Sequence, residues 1–95
     1  MHFTWDPNKA SANINKHGVS FEMAQSVFDD PFHLSILDSK LHTEERWITI
    51  GRSLSQNTLV VVHTYKTKEN GIETIRIISA RRATRKEIKD YEKGI

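Results

Sequence analysis

Two β-branched, apolar stretches joined by a short polar turn constrain this chain more than any other feature. Thr58–Tyr65 is apolar on both pleat faces through Leu59, Val60, Val61 and Val62. That pattern suits a central strand with at least partial cover on each side. Lys68-Glu69-Asn70-Gly71 contains the Asn-Gly pair that a two-residue hairpin favours, and the Ile-rich Glu73–Ala80 returns as the partner strand.

The rest of the chain arranges itself around that hairpin. Asp6-Pro7 reads as a helix start, with Asp as cap and Pro at the first position; Ala10, Ile14 and His17 then share a face, and Gly18 supplies a left-handed stop. Ser20 caps a second helix whose apolar face is Met23, Ala24, Val27 and Phe28, ended by Asp29-Asp30-Pro31. The period then changes to two. His33–Leu37 and Glu44–Gly51 read as strands around a turn at Asp38-Ser39-Lys40, with Arg46, Ile48 and Ile50 on one face. Thr84-Arg85-Lys86-Glu87 matches a capping box opening a short C-terminal helix through Ile88 and Tyr91. The expected fold is α+β: two N-terminal helices against an antiparallel sheet of about four strands, then one helix. With 95 residues the chain has material for a single core, so residues 1–95 are expected to form one domain.

Several function classes fall away. There is no cysteine, which removes a disulfide framework, a Cys-ligated metal and thiol catalysis. The longest purely apolar run, Leu59 to Val62, is far below the ~20 residues of a membrane-spanning helix. The N-terminus lacks the basic start and apolar stretch of a signal peptide, so a cytoplasmic location without membrane association is expected.

The net charge of +2 hides an asymmetry. Residues 1–73 carry seven Lys/Arg against nine Asp/Glu, whereas residues 74–95 carry seven against three. One end is therefore suited to a polyanion, or forms a solvated basic helix. Arg81 and Arg82 fall between a strand end and a helix N-terminus, a natural phosphate site where Arg85 and Lys86 add charge. Trp47, Tyr65 and Tyr91 could stack RNA bases, or pack as core and edge residues. Arg76 lies between Ile75 and Ile77 and needs a cleft, a partner or solvent. His63 and Tyr65 alternate with Val61 on one strand face, and the hairpin brings both near Arg76. His2, His17, His33, His42 and His63 show neither i, i+4 helical spacing nor an HxH pattern, so no metal site is expected.

The chain then resembles a known family. Phe3-x-Trp5-Asp6, Lys9, Asn13, Lys16-His17-Gly18-Val19-x-Phe21-x-x-Ala24 and Phe28-x-Asp30-Pro31 look like the opening of the BrnT toxins. Glu45-Arg46, Ile50-Gly51, Leu59–Val62 and Arg76-Ile77-Ile78-Ser79-Ala80-Arg81-x-Ala83-Thr84-x-x-Glu87 continue it over nearly the whole chain. The resemblance implies a RelE-like fold and a ribonuclease that halts translation. It also implies neutralisation by a BrnA-like antitoxin with a ribbon-helix-helix DNA-binding part, in an autorepressing complex that could be a heterotetramer. DNA would be met only through the antitoxin.

On that reading RNA is cut without metal or cofactor, by attack of the 2′-OH on the adjacent phosphate. The reaction needs a base, cations for the phosphorane and an acid for the leaving oxygen. His63 or Glu45 is expected as base, with Arg46, Arg76 and Arg81 stabilising charge and Tyr65 positioning a base or donating a proton. Arg82, Arg85, Lys86, Tyr91 and Trp47 are expected to hold RNA. The rival readings are a non-catalytic module binding RNA or an acidic partner, and a DNA-contacting protein. The second is opposed by the absence of Lys and Arg from Ser20–Phe28, where a recognition helix would need them.

Overall fold

Asp6 accepts hydrogen bonds from the backbone N–H groups of Asn8 (2.8 Å) and Lys9 (3.4 Å), which satisfies donors that a helix start leaves free. Helix α1 follows over Pro7–His17 and stops at Gly18, whose φ of 69° is left-handed. Ser20 caps α2, Phe21–Gln25, which tightens into a 3₁₀ turn over Ser26–Asp29. The computed structural model describes residues 1–94. Its strands are β1 (His2–Thr4), β2 (Leu34–Leu37), β3 (Trp47–Arg52), β4 (Thr58–Thr67) and β5 (Glu73–Arg82), and α3 spans Arg85–Lys93. Among the described residues no helix is long and apolar enough to cross a membrane.

The sheet has five strands in the order β1-β5-β4-β3-β2, with β4 central as its apolar pattern requires. Three expectations are corrected here: the sheet has five strands rather than about four, because His2–Thr4 adds one. The sheet is mixed, because β1 pairs in parallel with β5. The hairpin loop is longer than two residues: Gly71 N–H donates to the Lys68 carbonyl (2.8 Å) and Gly71 takes φ 83°, so Glu69, Asn70 and Gly71 together make the turn. That is the three-residue loop ending in a left-handed residue.

Strand alternation divides the side chains between two faces. One carries Phe3, Ile75, Ile77, Ala80, Leu59, Val61 and His63, and the helices cover it with Phe21, Ala24, Val27 and Phe28. Gly51 lies on this face because a Cβ there would come within 2.8 Å of Val27 Cγ1. In α1 the inward residue is Asn13; Ile14, expected to face the core, is half exposed. The Asn13 amide donates to the carbonyls of Val19 (2.9 Å) and Ala80 (2.8 Å) and accepts from Ala80 N–H (3.1 Å), tying α1 to β5. The opposite face carries Ile48, Ile50, Val60, Val62, Thr64, Arg76 and Arg81, and α3 lies along only one end of it.

Between these faces β5 contains an irregularity. Val62 pairs with Ser79 and His63 with Ile77, so Ile78 is an extra residue, a β-bulge. Arg76 and Arg81, five positions apart, would lie on opposite faces of a regular strand. The bulge puts both on the open one.

Candidate active site

The open face gathers charge at the middle of the sheet. Thr64 pairs with Arg76 across β4 and β5. Arg46 directly precedes Trp47, and the pleat directs it to the same face as Ile48. Its Nε is buried and has no hydrogen-bond partner among the described residues. Arg76 NH2 donates to the Glu44 carboxylate, and its side chain is 42% exposed. Glu44 was not among the residues that the sequence pointed to. It lies in the connection before β3, and only the register identifies which of Glu44 and Glu45 reaches the arginine. Glu45 is exposed, with no side-chain hydrogen bond among the described residues.

Farther along β5, Arg81 pairs with Glu87 through two contacts, NH1–Oε1 at 2.8 Å and NH2–Oε2 at 2.9 Å. That paired guanidinium, aided by the Thr84 N–H, holds the Glu87 carboxyl down to about 2. Glu87 also accepts from Thr84 N–H (2.8 Å), completing the capping box. The α3 N-terminus is therefore capped from within the chain, and Arg81 braces it. Arg82, Arg85 and Lys86 remain exposed beside it.

His63 belongs to the other face, so its expected proximity to Arg76 is corrected: Ile77, not Arg76, is its register partner. Its ring is 3% exposed and both nitrogens are engaged. Nδ1 donates to the Thr64 carbonyl (3.0 Å) and Nε2 meets Thr49 Oγ1 (2.7 Å). Burial pushes its pKa down, the Thr64 contact opposes this, and nearby His33 lowers it further. The ring of Phe28 stands edge-on to it at 5.0 Å. Trp47 and Tyr65 share this face, and the Tyr65 hydroxyl donates to Glu73. Tyr91, expected to meet RNA, is instead buried: its hydroxyl donates to Asp30, and burial together with that carboxylate raises its pKa. Asp30 also accepts from Arg52 N–H (2.8 Å), so this tie anchors α3 to the turn before β2. Among the described residues no three His, Asp or Glu side chains converge to hold a metal ion.

The fold defines the class first. It is shared with the crystal structure of the Brucella abortus ribonuclease toxin BrnT, matching over 90% of this chain and 99% of that one with a TM-score of 0.62 at 22% identity. The family follows from sequence: the model described as the ribonuclease toxin BrnT of type II toxin-antitoxin systems matches residues 5–87, and the chain belongs to that family. Membership brings an RNA target and an antitoxin partner. No curated protein matches the chain in sequence.

Proposed function

We propose that the chain is a single-domain endoribonuclease that cuts RNA without a metal ion at the open face of its sheet. The observation that carries this is the contact of Glu44 with Arg76 beside Arg46 and Thr64. Glu44 takes the proton of a ribose 2′-OH. That oxygen forms a bond to the adjacent phosphorus as the bond to the 5′-oxygen breaks, and the 5′-oxygen takes a proton from solvent. Arg76 and Arg46 neutralise the charge that builds on the phosphorane oxygens. Glu44 replaces His63 and Glu45 in the role of base: His63 has both nitrogens bonded inside the protein, and Glu45 does not reach the arginines. Arg85 and Lys86 hold flanking phosphates, while Arg81 fixes the helix that presents them; Arg82, opposite Leu59 in the register, belongs to the other face.

The partner on this reading is a BrnA-like ribbon-helix-helix antitoxin in an autorepressing cytoplasmic complex. The apolar row Ile36, Ile48 and Val62 beside the arginines supports cover of this face by another chain, since Ile36 is 63% exposed. The test is RNA cleavage by the purified toxin in EDTA. Products ending in 2′,3′-cyclic phosphate and 5′-hydroxyl are expected. Cleavage that appears only when Mg²⁺ is restored would overturn the mechanism. A salt-sensitive complex without any products would favour a non-catalytic RNA-binding module.

A further inference from the structure

A second feature lies on the covered face, away from the arginines. Phe28, His33, Ser35, Trp47, His63 and Tyr65 line a cleft of about 220 Å³ that opens to solvent. Its lining is almost wholly apolar, made by aromatic and imidazole rings. Behind it runs a chain of hydrogen bonds with one consistent proton order, which reaches the cleft at Ser35. The Thr64 carbonyl can only accept, so His63 Nδ1 carries its hydrogen. Nε2 of the neutral ring therefore accepts from the Thr49 hydroxyl. Thr49 has no second hydrogen to give, so Ser35 Oγ, 2.6 Å away, donates to it. The Ser35 oxygen is left at the cleft wall with lone pairs and no hydrogen to offer. His33, which also lines the cleft, donates from Nδ1 to the Asp30 carbonyl (2.7 Å).

An aromatic wall whose polar point is an acceptor without a hydrogen to give favours a base that presents an amino group there over one that presents a carbonyl. We propose that this cleft is a nucleobase subsite for the RNA substrate, preferring adenine and cytosine, which carry an amino group at the pairing-edge position where uracil has its O4 carbonyl, over uracil. Trp47 and Tyr65 supply stacking surface, and the Ser35 oxygen accepts from the amino group. Uracil presents carbonyl oxygens at the corresponding position, and these face the Ser35 lone pairs without a hydrogen between them. The subsite rests on the RNA-directed reading above but not on the mechanism of cleavage, and it makes Ser35 a specificity-determining residue.

The test uses the intact protein and nucleosides, which carry no phosphate to engage the arginines. Titrating ¹⁵N-labelled toxin with adenosine, cytidine and uridine reports binding through the Trp47 indole N–H, with the Trp5 indole, packed on Phe21, as an internal control. Adenosine and cytidine should shift Trp47 and leave Trp5 in place, with uridine about tenfold weaker. Trp47→Ala should weaken all three by about tenfold. Ser35→Ala, at an exposed position whose folding the same spectra check, should bring adenosine and cytidine to the uridine level. Arg76→Ala should leave nucleoside binding unchanged. No shift at Trp47 with any nucleoside overturns the subsite, as does equal binding of uridine or a ranking that survives Ser35→Ala. Retained ranking in a protein that cuts no RNA would support the subsite and remove the catalytic reading instead.

Discussion

The two faces of the sheet are made from the same strands yet treat polar groups in opposite ways. On the covered face His63, Thr49 and Ser35 are joined in a closed line of hydrogen bonds beneath Phe28. On the open face Arg76 shares one contact with Glu44 and stays 42% exposed, and the Nε of Arg46 has no partner among the described residues. A buried polar group whose bonds are all made contributes to folding; a cation with unused donors is available to a substrate. Residue type alone does not reveal this. A histidine looks like the catalyst and an arginine like surface decoration until their partners are counted.

That contrast can be broken by experiment. The largest effect is expected from Arg76→Ala, which should lower RNA cleavage by about 10²–10³-fold while leaving the melting temperature nearly unchanged. A variant that cuts at the original rate would remove the open face from catalysis. His63→Ala should do the reverse. It removes one partner each from the Thr49 hydroxyl, which keeps Ser35, and the Thr64 carbonyl, and opens a cavity under Phe28, so a loss of about 2–4 kcal/mol in denaturant unfolding is expected. The pH dependence has a definite sign. The folded state holds the His63 pKa below its ordinary 6.5, so the unfolded chain binds the proton more readily and stability falls on acidification below that value. The Ala variant should lack this part of the slope.

The smallest effect sharpens the comparison at the sheet's end. Glu87, held down to about 2 from an ordinary 4.5, stabilises the fold at pH values above its unfolded pKa, and that stabilisation is lost as pH falls through the folded value. The pair is about one-third exposed on the Glu87 side. Solvent screening therefore limits Glu87→Gln to about 1 kcal/mol at pH 7, and the gap between variant and wild type should close as pH approaches 2. A difference that persists at that pH would mean that the Arg81 contact is not its source.

Much of this architecture is written locally in the chain. Asp6-Pro7, Ser20 and the Thr84–Glu87 box cap the helices where their residue types say they should. The apolar run of β4 marks the centre of the sheet because only a strand covered on both sides tolerates it. What escaped notice depends on distant partners. The three residues of β1 become a strand only by lying against β5. Asn13 turns inward because the backbone of Ala80 waits for its amide. Glu44 is distinguished from Glu45 by its reach to Arg76, thirty-two positions away. The grouping of His63 with Arg76 failed for the same reason, since adjacent register positions point to opposite sides of a pleat.

Ile78 carries a consequence for how this strand can change. Beyond it, every residue of β5 is out of phase with the residues before it; deleting Ile78 would leave the two faces as they are, but drawing it into the regular ladder would exchange them for everything downstream. Ala80 would leave the core and Arg81 would turn toward the helices. The neighbouring arginine would then come up on the open side, because Arg82 follows Arg81 directly. A doublet of like residues is insensitive to parity: whichever way the strand is phased, one guanidinium reaches the open face and the other does not.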